Sequence, residues 1–172
     1  MASSRKLHWR GAALLGLALA GLPGASQAGN ATTTFQVQIT LVASCAISAN
    51  NLNFGSGIGL LTSAVNGSTT LSVTCSNSTP YTLGLDGGNV SGSTVTTRLM
   101  AGTTTGNAST TMQFQLYSDS GRTTTWGNSS GSWISGTGSG SAQTLTVYGQ
   151  VPTQSTPKPD TYQTTITATV TY

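Results

Sequence analysis

The sequence predicts an all-β domain of the sandwich or barrel kind, and three observations carry that prediction. Beyond residue 28, apolar residues recur with period two, and no stretch sustains a 3.6-residue period. Clusters of Gly, Asn, Ser and Pro punctuate these runs as turn chemistry. The runs are short and closely spaced, as in two packed antiparallel sheets rather than in alternating strands and helices.

The chain opens with an expected export segment, residues 1–28. Arg5, Lys6, His8 and Arg10 form a basic start, Gly11 to Leu22 is an apolar stretch of 12 residues, and Ser26-Gln27-Ala28 supplies small residues for cleavage between Ala28 and Gly29. That stretch is too short to span a bilayer, so a removable signal peptide is expected and no membrane insertion. Removal leaves 144 of the 172 residues, enough for one sandwich core.

The formal charge of +3 resides in Arg5, Lys6 and Arg10. The remainder balances Arg98, Arg122 and Lys158 against Asp86, Asp119 and Asp160. Without a basic cluster there is no means of holding a phosphate backbone or an anionic leaflet, so no nucleic acid or membrane surface is expected as partner. Cys45 and Cys75 are the only cysteines, and an even count in an exported chain reads as a disulfide. Closing a loop of about 30 residues stabilises a fold by roughly 3.5 kcal/mol on the chain-entropy model.

The first candidate strand has Phe35, Val37, Ile39 and Leu41 on one face and Gln36, Gln38 and Thr40 on the other. Cys45, Ile47 and Ala49 follow, ended by Asn50-Asn51. After Leu52-Asn53-Phe54-Gly55 and a glycine-rich turn, Leu71, Val73 and Cys75 alternate with Ser72 and Thr74. Tyr81, Leu83 and Leu85 lead into Asp86-Gly87-Gly88-Asn89, a sequence that favours positive φ. Met112, Phe114 and Leu116 precede the turn at Asp119-Ser120-Gly121, and Leu145 and Val147 run into Tyr148-Gly149-Gln150-Val151-Pro152. The last strand reads as the longest: Tyr162, Ile166, Ala168, Val170 and Tyr172 stand opposite Gln163 and a row of threonines.

Catalysis is not expected. Past the signal segment there is no histidine and no glutamate, and the disulfide removes both thiols, so the common general bases and nucleophiles are missing. Asp86 and Asp119 sit in turn sequences where aspartate caps its own backbone, and Asp160 follows Pro159 before the last strand. No cofactor or metal is expected. Six Asn-x-Ser/Thr triplets, at Asn30, Asn66, Asn77, Asn89, Asn107 and Asn128, have the form of glycan acceptors, though a composition rich in Ser and Thr generates such triplets on its own. Trp126 and Trp133 flank a Gly/Asn/Ser loop, either as an exposed platform or as anchors of that loop.

The first strand asks for more explanation. It carries four large apolar side chains at alternate positions, with no charge or proline to protect an edge. One reading is an ordinary first strand of the sandwich. The other is a strand that inserts into a neighbouring molecule, where burying four such side chains contributes on the order of 6 to 12 kcal/mol before ordering costs.

In order, Phe35-x-Val37, Ser44-Cys45, Leu52-Asn53-Phe54-Gly55, Val73-x-Cys75, Tyr81-x-Leu83-x-Leu85-Asp86-Gly87-Gly88, Arg98, Leu116-Tyr117-Ser118-Asp119, Trp126, Val147-Tyr148-Gly149-Gln150-Val151-Pro152 and Tyr162 to Tyr172 resemble the spore coat protein U domain family. Archaic chaperone-usher pilins belong to it. The resemblance covers nearly all of the chain past the signal, with one departure: Asp160-Thr161-Tyr162-Gln163-Thr164 stands where the family tends to show Gly-x-Tyr-x-Asp.

The resemblance implies an immunoglobulin-like sandwich over residues 43–172, incomplete for want of its final strand and completed by donor-strand exchange. Residues 29–42 are the implied donor segment, with Phe35, Val37, Ile39 and Leu41 as donor side chains. The implied acceptor groove lies along Ile47 and along Ile166, Ala168 and Val170. The implied partners are a periplasmic pilus chaperone, an outer-membrane usher and other copies or related pilin subunits. The implied role is a structural subunit of a secreted pilus, exported through the periplasm to the cell surface and serving adhesion and biofilm formation. A self-contained secreted binding module for carbohydrate or surfaces and a spore-coat structural protein are the alternatives.

Overall fold

The computed structural model describes residues 27–172. Most of the expected signal segment, residues 1–26, lies outside the described residues, and Ala28 and Gly29 are exposed. The chain divides into two units at Ile39 and Thr40. In the first, residues 27–39 carry no regular secondary structure and are exposed throughout.

The second unit is built of nine strands and no described helix: β1 Cys45–Ala49, β2 Val65–Cys75, β3 Pro80–Leu85, β4 Arg98–Gly102, β5 Thr111–Tyr117, β6 Ile134–Thr137, β7 Ala142–Val151, β8 Tyr162–Gln163 and β9 Ala168–Thr171. One sheet has the order β1-β2-β7-β5-β4-β8 and the other β6-β3-β9, with every pairing antiparallel. These are the two layers of an immunoglobulin-like sandwich.

Alternation decides which side chains lie between the layers. Leu71, Val73 and Cys75 of β2, Val147 and Val151 of β7, and Phe114 and Leu116 of β5 are buried on the inner face of the large sheet. Tyr81, Leu83 and Leu85 of β3 oppose them from the small sheet. The outer positions of β2 and β7 carry Ser68, Thr70, Ser72, Thr144 and Thr146, which need no apolar cover. Cys45 and Cys75 are register partners across β1 and β2 and form the disulfide, with Cα atoms 4.1 Å apart.

Arg98 is a charge at a core position, fully buried in β4. Its Nε donates to the Asp86 carbonyl (2.9 Å), Nη1 to the Val95 carbonyl (3.1 Å) and Gln115 Oε1 (2.6 Å), and Nη2 to the carbonyls of Leu85 (3.0 Å) and Trp126 (2.7 Å). Burial pulls the guanidinium down to about 10, against the opposing pull of Asp86, so it remains a cation at neutral pH. Trp126 is also fully buried, and its indole Nε1 donates to the Leu83 carbonyl at 2.9 Å. The platform reading for Trp126 is therefore corrected: it is an anchor between the sheets, while Trp133 remains 39% exposed.

The long last strand is also corrected. It breaks after Gln163 and resumes at Ala168, with β8 in the large sheet on β4 and β9 in the small sheet on β3. Between them, side chains replace the ladder. Asn89 Oδ1 accepts from the Thr164 hydroxyl and the Thr165 amide, both at 3.0 Å, and Asp86 Oδ1 accepts from the Thr167 amide at 2.9 Å. Gly88, at φ +93°, lets the turn pass close beneath: a Cβ there would stand 2.8 Å from Thr164 Oγ1.

Arg98→Leu leaves four main-chain carbonyls without their buried donor. It is expected to cost about 3 to 5 kcal/mol, read as a lower urea midpoint, with Arg98→Lys costing less because part of the donor set survives.

Candidate functional site

Among the described residues β1 has one ladder partner, β2, and β9 has one, β3. Their outer edges belong to different sheets and come within 8 Å of each other, Cα to Cα. Each presents a row of unpaired backbone N–H and C=O groups along the same side of the sandwich.

At the Ala49 and Ala168 end of these edges lies a cleft of about 950 Å³. Its floor is apolar and comes from both sheets: Leu71, Val147, Phe114 and Leu116 from the large one, Leu85 and Ala168 from the small one, with Ile166 from the crossing segment. Of the four groove residues expected from sequence, Ile166 and Ala168 line the cleft. Ile47 and Val170 lie on the two flanking edge strands, partly buried against the core rather than in the cleft wall.

Leu52 and Phe54 close part of the cleft, a function that sequence reading missed. Gly67 and Gly149 are register partners on β2 and β7, and together they leave a trough in the inner face of the large sheet. A Cβ on Gly149 would stand 2.5 Å from Leu52 Cδ2 and 2.8 Å from Phe54 Cζ, so both side chains sit where any other residue would put its first carbon. Phe54 also meets Phe114 edge to face, with ring centroids 6.3 Å apart. The segment is tied down by the Asn50 amide on the Thr70 carbonyl (3.1 Å) and the Thr69 hydroxyl on the Asn50 carbonyl (2.9 Å).

Asp160 holds the opposite wall. Its carboxylate accepts from Asn107 Nδ2 (2.6 Å), the Thr104 hydroxyl (2.7 Å), the Thr104 amide (3.0 Å) and the Thr161 amide (2.7 Å). The Asn107 side chain, then the Thr104 side chain, with help from the Thr104 and Thr161 amides, hold the carboxyl far below the usual carboxylate range against the opposing effect of desolvation. Asn107 is 2% exposed, which rules out its triplet as a glycan acceptor. No group of three or more His, Cys, Asp or Glu side chains comes together among the described residues.

Phe35, Val37, Ile39 and Leu41 are 82–86% exposed, and residues 27–44 join no ladder. One chain thus contains two unsatisfied features, a neutral segment with four uncovered apolar side chains and an apolar cleft flanked by two one-sided strands.

A two-layer immunoglobulin-like sandwich with one open side is the class of domain that this geometry defines. The model of the Spore Coat Protein U domain matches residues 31–169, and the chain belongs to that family. Among solved structures, it is similar to a chain in the pre-assembly complex of the chaperone CsuC and the tip adhesion subunit CsuE, from the archaic chaperone-usher Csu pili of Acinetobacter baumannii. Identity is 24% and the TM-score 0.55, covering 77% of this chain and 40% of that one. This chain therefore spans less than half the length of that neighbour, and the likeness is one of fold. No curated protein matches.

Two substitutions check this geometry. Gly149→Ala is expected to push Leu52 and Phe54 out of the trough and to destabilise the domain by about 1 to 3 kcal/mol, measured by chemical unfolding. Asp160 has its folded value below its unfolded one, so its contribution is present above about pH 4 and is lost as pH falls towards the folded value. Asp160→Asn is expected to flatten the acid limb of a pH–stability curve in that window and to leave its shape unchanged from pH 5 to 8.

Proposed function

We propose that the chain is a non-catalytic structural subunit of a secreted bacterial pilus or fimbria, assembled by the chaperone-usher pathway through donor-strand exchange. The observation that carries this reading is the pairing of the one-sided strands β1 and β9, over an apolar cleft, with four exposed apolar side chains at alternate positions in the same chain. A strand that enters between the two edges parts them from their present approach to about 9.5 Å, satisfies backbone groups on both sides and places its inward side chains in the cleft. Phe35, Val37, Ile39 and Leu41 are the donor side chains, and Ile47, Ile166, Ala168 and Val170 flank or floor the acceptor groove.

The assembly is head to tail, so it extends rather than closes. Its partners are a periplasmic chaperone that fills the groove first, an outer-membrane usher, and further copies or related subunits. Residues 1–28 direct export and are removed before Gly29, and the product stands on the cell surface in adhesion and biofilm formation. Membership of the family and the fold of the pilus-subunit complex support this reading.

The test uses the mature chain, residues 29–172. Ile39→Asp is expected to abolish multimers seen by size exclusion, because an unpaired carboxylate in the groove costs several kcal/mol. A peptide spanning Thr33 to Val42 is expected to raise the melting temperature of that variant. A variant that multimerises like the wild type, with no response to the peptide, overturns the proposal.

A further inference from the structure

One apolar feature beside the groove remains unused. Between the partly buried plug of Leu52 and Phe54 and the buried Leu61 runs Gly55-Ser56-Gly57-Ile58-Gly59-Leu60, with Ile58 46% and Leu60 69% exposed. Both ends are fixed. Leu61 N donates to Thr156 Oγ1 at 2.9 Å, and Gln154 N donates to the Leu61 carbonyl at 3.3 Å. Between the anchors, Gly55 and Gly57 have φ of +100° and +76°, and nothing lies within 4 Å of a Cβ placed on Gly55, Gly57 or Gly59. The strap is thus hinged by residues with little steric restriction, each with open space where a side chain would begin. Residues 55 to 59 line the cleft.

Length says what it covers. An extended strand rises roughly 3.3 Å per residue, so Phe35 to Leu41 spans about 20 Å, β1 about 13 Å and β9 about 10 Å. A donor with four apolar side chains is longer than either edge it pairs with. The excess has to lie beyond one end of the ladder. Beside the Cys45 and Thr171 end lie the polar residues Ser44, Ser76 and Asn77, with Ser76 N on the Ser44 carbonyl (2.9 Å), and these residues do not line the apolar cleft. At the Ala49 and Ala168 end the apolar cleft continues, and the strap forms its rim.

Resting on the donor-strand reading above, we infer that the strap 55–60 is a second contact element of the acceptor groove, closing over the overhanging end of a donor strand from another copy of this chain. Ile58 and Leu60 bury against the donor's terminal apolar side chain, Phe35 or Leu41 according to the direction in which the strand runs. Their exposure in the single chain is the signature of a contact made only when the groove is filled. The strap adds nothing to the backbone ladder, so it acts on how long an inserted strand stays rather than on whether it fits.

The experiment compares multimers of the mature chain, residues 29–172, with those of the double variant Ile58→Ser/Leu60→Ser. Preformed multimers are diluted with an excess of unlabelled donor peptide Thr33 to Val42, and subunit release is followed over time. The double variant is expected to release subunits at least tenfold faster, with the melting temperature of the single chain unchanged. Amide hydrogen exchange over residues 55–60 is expected to slow on multimerisation of the wild type. Release within twofold of wild type, or exchange at 55–60 that does not slow, overturns the strap while leaving donor-strand assembly standing. A wild-type chain that forms no multimers overturns both.

Discussion

The sandwich depends on a cation that never meets water. Arg98 extends from β4 of the large sheet and places its guanidinium on the carbonyls of Leu85 and Asp86, at the end of β3 in the small one, and on Trp126 between them. Trp126 repeats the connection with its indole on Leu83. Burying a guanidinium is expensive, and the cost is offset because its donors meet carbonyl and amide oxygens held in place by two sheets. No buried side-chain nitrogen or oxygen among the described residues lacks a partner. This clamp lies on the β4–β5 side. It ties the layers together there, and the β1–β9 side is left open without the layers coming apart.

The open side depends in turn on how the chain reaches it. An uninterrupted strand from Tyr162 to Tyr172 would stay in one sheet and leave the small sheet with only β6 and β3. The crossing at residues 164–167 is held by Asp86 and Asn89, turn residues whose side chains accept from three groups of the crossing segment. Each of these bonds substitutes for a ladder bond given up at the switch. Asp160 fixes the start of the crossing to the loop around Thr104 and Asn107. Two aspartates and an asparagine thus determine where β9 lies, and hence which edge faces β1.

Local alternation was enough to reveal β2, β3, β5 and β7, because each buries one face and exposes the other. It missed β4, whose Arg-Leu-Met-Ala-Gly buries its charge and half-exposes its leucine, a pattern that only the carbonyls of the opposite sheet make sense of. It missed β6, where Ile-Ser-Gly-Thr offers one apolar residue and a glycine fitted against the Tyr81 ring. The alternating threonines Thr165, Thr167, Thr169 and Thr171 run evenly through the sheet switch, since nothing local distinguishes a threonine bonded to a strand from one bonded to Asn89. Half of the groove was legible for the same reason. Ile166 and Ala168 are visible as an apolar face, whereas Leu52 and Phe54 owe their position to two glycines far along the chain, each unremarkable in its own strand.

An open side carries a risk that the disulfide contains. β1 is five residues long, has one ladder neighbour and exposes Ala46, Ser48 and Ala49, so little burial holds it. Short edge strands of this kind fray, and fraying here would remove one bank of the cleft. The Cys45–Cys75 bond joins the first residue of β1 to the last of β2 at their register pair, and Ser44 and Ser76 extend the contact by one further backbone bond. Covalent closure thus acts at the end remote from the cleft, where β1 begins, and Asn50 with its two backbone-directed bonds to Thr69 and Thr70 acts at the other. The strand is pinned at both ends while its outer backbone groups stay uncovered, and an edge held straight in this way is one that a further strand can pair with.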